Sequence, residues 1–142
     1  MAIRRNDRLT EQLDRHWRHQ LRGRLEGLTG EEYFWEPVAD AHIIVGVFGM
    51  RVANHFGGPK TDYESFAYAG SAQGALEQLD AAYAAWRDGV RGLGEEGLAR
   101  PCGPAEDEFA ESPTAEPVLH INREAIHHGA EIALLRDLYA HR

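Results

Sequence analysis

The chain of 142 residues is long enough for one domain with a substantial core, and we predict a single domain over 1–142. Its hydrophobic content of 43% and charged content of 27% are typical of globular proteins. A formal net charge of -8 argues against nucleic acid and anionic membranes as partners. No apolar run reaches membrane-spanning length and no h-region follows the first residues, so we expect a cytoplasmic protein. The single cysteine, Cys102, excludes an internal disulfide and a thiolate-cluster metal site.

The first predicted helix covers 9–28 and ends in a glycine-rich turn. Its apolar side chains recur every three or four residues, at Leu9, Leu13, Trp17, Leu21, Leu25 and Leu28. His16 and Gln20 flank this stripe, and we consider both as polar groups of a pocket, although such residues are more often only partly exposed. Thr29 and Glu32 then have the spacing of a capping box, which predicts a short helical turn that ends before Pro37.

The second predicted helix runs from Ala41 to about His55, with Asp40 as its cap. His42 is followed on the same face by small residues, at Gly46, Gly49 and Ala53. Two interpretations fit this face: the small residues allow close helix packing, or they leave space beside the histidine for a ligand. His55 points roughly 220° away from His42, so the two imidazoles cannot share a site on one face.

The third predicted helix is capped by Ser71 and runs to about Leu93, where Gly92 and Gly94 end it. A mostly irregular connection of roughly 18 residues follows, which is long for a loop in a helical bundle. No segment has the pattern of a strand. With the last helix, the sequence predicts an all-α four-helix bundle with a long crossover between helices 3 and 4.

The last helix is the longest, and it carries the most informative polar residues. Ser112 is a predicted N-cap and Pro113 suits the first helical position. His128 points within roughly 25° of the centre of the apolar face and Glu124 within roughly 65°, whereas His127 points roughly 125° away and should be solvated. Charges aimed at a core are costly unless they are paired or bind a metal. Two interpretations remain at this point: a metal site, or a Glu–His hydrogen bond at the core edge. The apolar face consists of Ile121, Ala125, Ile132, Leu135 and Tyr139.

With these helices placed, the chain resembles the DinB-like (YfiT-like) metalloenzyme superfamily over nearly its whole length, in the segments 13–21, 31–37, 41–45 and 120–139. The resemblance implies one divalent metal, zinc or nickel, with one ligand from helix 2 and two from helix 4 spaced by four. These ligands carry over to His42, Glu124 and His128. The Glu-x-x-x-His form is that of the mycothiol-dependent maleylpyruvate isomerase branch. Residues four apart on a helix can bind one ion, and a third ligand from a facing helix completes an open site.

The resemblance implies a metal-dependent thiol S-transferase or isomerase that acts on a low-molecular-weight thiol and an electrophilic substrate. Mycothiol is the candidate thiol, since 14 arginines against a single lysine also suggest a GC-rich bacterial genome. His16, Gln20 and Glu131 are the candidate substrate-binding residues. A non-catalytic bundle that binds a metal or a small ligand is the alternative.

The resemblance also implies a homodimer, for which Phe34, Trp35 and the aromatic segment 63–68 are the candidate interface. One feature departs from the family pattern. Only 38–40 separate Pro37 from helix 2, which is shorter than in relatives. Either this loop is trimmed, or the sequence omits residues here.

Overall fold

The computed structural model describes residues 4–35, 44–57, 61–62 and 64–142, and only the backbone of 44–47. Its helices are α1 (Arg5–His16), α2 (Gly30–Tyr33), α3 (Ile44–His55), α4 (Ala72–Ala99) and α5 (Ala115–Ala140). Helix α1 continues as a π-helical segment (Trp17–Leu21) and a last α-helical turn (Arg22–Arg24). A 3₁₀ segment, Pro104–Phe109, lies between α4 and α5. The described residues contain no strand, so the predicted all-α bundle is confirmed.

Helix α4 runs antiparallel to α1. Near the start of α1, the side-chain amide of Asn6 donates to the carbonyl of Arg91, at 3.2 Å. Near its end, Arg22 Nε donates to Asp80 Oδ1, at 2.7 Å. The N-terminal part of α1 therefore lies beside the C-terminal part of α4.

Helix α5 runs parallel to α1. The side-chain amide of Asn122 donates to the carbonyl of Leu9, at 3.0 Å, and the guanidinium of Arg24 donates to Asp137 Oδ1, at 2.7 Å. From the first contact to the second, the residue numbers increase along both helices. Helix α5 therefore begins at the end of the bundle where α1 begins.

Helix α3 runs parallel to α4 and packs on it closely. The ring of Phe48 meets that of Tyr83 at 5.5 Å between centroids, and Phe56 meets Trp86 at the same distance. Because α3 also contacts α5, the order around the bundle is α1, α4, α3, α5. This order makes α1 and α3 the two flanking neighbours of α5.

The core is aromatic at the level of Trp17, whose ring stacks on Tyr83 at 4.1 Å and meets Phe48 edge-on. Beside it, the Tyr83 hydroxyl donates to Asp14 Oδ1, at 2.6 Å. Burial opposes ionisation of Asp14, but this hydrogen bond and the guanidinium of Arg18 hold its pKa below the ordinary value. Burial and the neighbouring carboxylate in turn raise the pKa of Tyr83. These contacts close the seam between α1 and α4.

Two glycines allow close helix contacts. A β-carbon on Gly49 would lie 2.4 Å from the ring of Phe66, and one on Gly129 would lie 2.7 Å from Leu21 Cδ1. Both distances are too short for a real contact, so larger residues at these positions would push the neighbours apart. At Gly49 the missing side chain lets the ring of Phe66, in the segment before α4, lie directly against α3.

The connection between α4 and α5 differs in detail from the prediction. The backbone leaves helical geometry at Gly94, with φ 64°, as predicted for the helix end, but a helix resumes as far as Ala99. Helix α5 begins at Ala115 and not at Pro113. The reason is that Thr114 donates its backbone N–H and its hydroxyl to the carbonyl of Arg100, which holds this segment against the end of α4.

Candidate metal centre

Glu124 and His128 lie one turn apart on α5 and meet through their side chains. Nε2 of His128 is 3.1 Å from Oε2 of Glu124. Their side chains are 21% and 28% exposed, respectively, so both are partly removed from water. The helix brings the two together because residues at i and i+4 are neighbours on its surface.

The pair lies on the flank of α5 that turns away from α1. Asn122 and Gly129 mark the side of α5 that contacts α1. His128 points roughly 110° around the helix from that side, past the buried residues Ile121 and Ala125. The neighbour on the far flank is α3. The pair therefore lies at the boundary between α5 and the helix that was predicted to carry the third ligand.

That third predicted ligand, His42, lies outside the described residues. Its assignment as a metal ligand stays a prediction.

Glu131 contacts both histidines of α5. Its Oε2 is 3.2 Å from Nδ1 of His128, and its Oε1 is 2.7 Å from Nε2 of His127. The first contact favours the tautomer of His128 that carries its proton on Nδ1 and leaves a lone pair on Nε2. Metal-binding histidines commonly donate their other N–H to a carboxylate in this way. Glu131, predicted as a substrate-binding residue, is thus placed where it orients His128.

A second set of donors shares His128. Donor atoms of His127, His128 and Glu131 lie within 4.8 Å of one another and could also hold a metal. His127 is predicted to point away from the core, and its side chain is indeed 63% exposed. In the sequence, this set is indicated only by the i, i+4 spacing of His127 and Glu131, which places the two side chains next to each other on a helix. Exposed Glu–His pairs also form without a metal, so this set is the weaker candidate.

The donors of the inner pair fit a divalent metal. Two donor atoms that are each ~2.0–2.1 Å from one tetrahedral zinc ion lie roughly 3.3 Å apart, close to the distance between Glu124 and His128. Imidazole and carboxylate donors suit zinc, and imidazole suits nickel as well. The guanidinium of Arg123 lies 4.0 Å from Glu124 and is 72% exposed, so it neutralises this carboxylate only weakly.

The two predicted pocket residues of α1 have different surroundings. Nε2 of His16 is buried and has no hydrogen-bond partner among the residues that the structure describes. An unpaired buried nitrogen costs ~1–3 kcal/mol, a cost that a bound ligand would relieve. Gln20 is exposed on the π-helical segment. Both assignments as substrate-binding residues stay predictions.

An apolar cavity of about 90 Å³ lies next to the inner pair, between the ends of three helices. Ile132, in its wall, follows His128 by one turn of α5, roughly 6 Å along the helix axis. The site therefore combines a candidate metal-binding pair with an apolar space beside it. The main apolar contributions to the wall come from Leu25, Leu28, Leu76, Leu79, Ile132 and Leu135.

Comparison with known proteins gave one family. The model of the DinB superfamily matches residues 12–132, a segment that includes His42, Glu124 and His128. The match does not distinguish the branches of the superfamily. No curated protein and no solved structure matched the chain significantly. Among the helices of the described residues, none is long and apolar enough to cross a membrane.

Proposed function

Because the chain belongs to the DinB superfamily, we propose that it is a divalent-metal-dependent thiol S-transferase or isomerase. The observation that carries this proposal is the Glu124–His128 pair, which is partly buried, correctly spaced and next to an apolar cavity. The pair offers one oxygen and one nitrogen donor, and His42 is the proposed third ligand. Three protein ligands leave a coordination position open for a substrate.

Each residue of the site has a separate part in this proposal. Glu124 and His128 would hold the metal, and Glu131 would accept a hydrogen bond from Nδ1–H of His128, which leaves the lone pair of Nε2 for the ion. When bound, the metal supplies Lewis acidity that lowers the pKa of a coordinated thiol, so that the sulfur is a nucleophile at neutral pH. The apolar cavity, which begins one turn of α5 beyond His128, would hold an apolar part of the electrophile.

The thiol is proposed to be a low-molecular-weight compound, with mycothiol as the candidate. Two features support it: the Glu-x-x-x-His form of the pair and the arginine-rich, lysine-poor composition. In a transfer, the sulfur would form a bond to an electrophilic carbon of the substrate while the bond from that carbon to its leaving group breaks, and the leaving group would depart with the electron pair of that bond.

One observation favours a second candidate function. The set of His127, His128 and Glu131 is mostly exposed, with His127 63% and Glu131 49% accessible. A metal held there would be far more open to water than one held by the inner pair. Such a site would make the protein a non-catalytic metal-binding bundle.

Metal analysis of single variants separates the two candidates. We expect Glu124→Ala, His128→Ala and His42→Ala each to weaken zinc or nickel binding by ~10–100-fold or more. Loss of a residue that only hydrogen-bonds to a metal ligand already costs this much, and loss of a ligand should cost no less. His127→Ala should change the affinity little. Titration calorimetry and the metal content of the purified variants measure the effect, and a thiol-transfer screen of the metal-loaded protein tests the chemistry.

The control variant makes the outcome decisive. An equal loss of metal in His127→Ala and His128→Ala would favour the exposed set and the non-catalytic function. Metal retained in full by His128→Ala would show that neither set is the site.

A further inference from the structure

The apolar cavity beside the metal centre has walls from three helices and from the segment after α2. Leu25 and Leu28 close it from the end of α1, Leu76 and Leu79 from α4, and Ile132 from α5. It is partly open to solvent. At this end of the bundle the described residues therefore leave room for a small apolar group.

The charged groups in the wall already neutralise each other. Arg136 donates from Nε and Nη2 to the carboxylate of Glu32, at 3.2 and 3.3 Å, and from Nη1 to the carbonyls of Arg24 and Glu26, at 2.7 and 2.8 Å. All but one of its N–H groups are thus engaged. Burial opposes ionisation of Glu32, but the N–H of Thr29 and the guanidinium hold its pKa below the ordinary value. The pair stays ionised and mutually compensated.

The tyrosine hydroxyls at the wall are engaged as well. Tyr33 donates to the carbonyl of Ala69, at 2.6 Å, and Tyr139 donates to Glu31, at 2.9 Å. A ligand with a carboxylate would find only the one remaining N–H group of Arg136, beside the carboxylate of Glu32, which would repel it. Breaking the Arg136–Glu32 pair to gain more would leave Glu32 uncompensated in a partly buried position. An uncharged apolar group meets no such cost.

The size of the cavity limits the ligand further. A closed apolar cavity of about 150 Å³ binds benzene. The cavity here, at about 90 Å³, is too small for an aromatic ring but accommodates a chain whose remainder leaves through the open side. We propose that the cavity binds a short, uncharged alkyl group of the substrate. The role as substrate rests on the proposed function, whereas the binding rests on the cavity alone.

The proposal is tested with n-hexanol and hexanoate as probes on the full chain, by methyl NMR of its leucines and isoleucines. We expect n-hexanol to shift the signals of Leu76, Leu79 and Ile132 and hexanoate at pH 7 to bind at least tenfold more weakly. Ala75, a buried residue of the wall, offers a way to fill the space. Ala75→Leu should abolish the shifts, and Ala85→Leu, an exposed site on the same helix, should keep them.

Leu76→Phe is the second filling variant, in case Ala75→Leu does not fold, since Leu76 is less deeply buried. Equal affinity for n-hexanol and hexanoate, shifts that persist in both filled variants, or no shifts at saturating n-hexanol would overturn the inference. His128→Ala separates it from the proposed function. This variant should lose metal and still bind n-hexanol, because no wall residue is a proposed metal ligand. Loss of n-hexanol binding in folded His128→Ala would count against the cavity as the site.

Discussion

In the part of the chain that the structure describes, two clusters pair histidine with glutamate, and they differ in what neutralises the carboxylate. In the first, the Arg51 cluster, Glu106 Oε1 accepts a hydrogen bond from Arg51 and lies 2.6 Å from Nε2 of His55. The three side chains are only 10–15% exposed. Because a guanidinium already compensates Glu106, this cluster has no net negative charge to attract a divalent cation.

The second, the His128 cluster, has two carboxylates around its imidazoles and only a distant, exposed guanidinium, that of Arg123. Here both nitrogens of His128 lie within 3.2 Å of a carboxylate oxygen. The cluster therefore keeps negative charge and donor atoms for a cation. Its members are Glu124, His127, His128 and Glu131.

The difference shows that a His–Glu pair alone does not indicate a metal site. A guanidinium next to the carboxylate completes an ion pair, whereas a carboxylate without such a neighbour keeps the charge and the donor atoms that a divalent cation needs. The Arg51 cluster ties the 3₁₀ segment Pro104–Phe109 to α3, and this segment includes Asp107 at a positive φ of 46°. Its role in the fold is to hold that connection in place.

The largest effect is expected in the Arg51 cluster. Arg51→Ala leaves Glu106 partly buried without its compensating charge, which should lower the free energy of unfolding by about 3 kcal/mol. Urea denaturation followed by circular dichroism measures this change. Arg8→Ala, which removes an exposed arginine paired with Glu11, should cost less than about 0.5 kcal/mol. Equal small effects of both variants would contradict a structural role for the cluster.

Metal addition should distinguish the two clusters almost as strongly. At a free zinc concentration of about 100 times Kd, a protein that binds the ion only when folded gains about 2.7 kcal/mol of stability. We expect this gain in the wild type and in His55→Ala, and its absence in His128→Ala. Thermal unfolding with and without zinc measures it. A gain that disappears in His55→Ala instead would place the metal in the Arg51 cluster.

Within the His128 cluster, Glu131→Gln should have a smaller effect. The amide oxygen can still accept a hydrogen bond from Nδ1–H of His128, but it carries no charge. We therefore expect metal affinity to fall about tenfold, at the low end of the range for residues that hydrogen-bond to a metal ligand. Calorimetric titration with zinc measures the loss. His127→Ala, the matched change on the other side of Glu131, should leave the affinity within about twofold. A large loss of affinity in both variants would assign the metal to the exposed set, in which His127 and Glu131 are both ligands.

Most of the fold could be predicted from the sequence because helical periodicity and caps are local signals. The capping box of Thr29 and Glu32 and the cap by Ser71 appear as predicted. The start of α5 does not, because Thr114 hydrogen-bonds to Arg100, and this contact is set by tertiary structure. Local signals could not give the direction of the helices, which depends on contacts between distant residues.

The part of the candidate site that could be predicted is the relative position of side chains on a single helix, α5. The spacing and the apolar face correctly placed Glu124 beside His128 and left His127 exposed. The spacing of Glu131 from His127 and His128 allows a contact with either histidine, but the spacing does not show that one carboxylate meets both, which depends on rotamers. The Arg136–Glu32 pair in the cavity wall joins residues 104 positions apart, so no local pattern in the sequence indicated it.

The smallest expected effect is on zinc affinity, and it tests the influence of the guanidinium of Arg123 directly. Arg123 lies 4.0 Å from Glu124 and competes weakly with a cation for that carboxylate. Arg123→Gln should therefore raise the zinc affinity about two- to threefold, the size expected for an exposed ion pair. The gain should shrink at high salt, where exposed charges are screened. Arg15→Gln changes the net charge equally at an exposed arginine of α1 paired with Glu11, and it should leave the zinc affinity unchanged. If both variants raise the affinity equally, net charge and not the neighbouring guanidinium controls metal binding, and the distinction between the two clusters would need another cause.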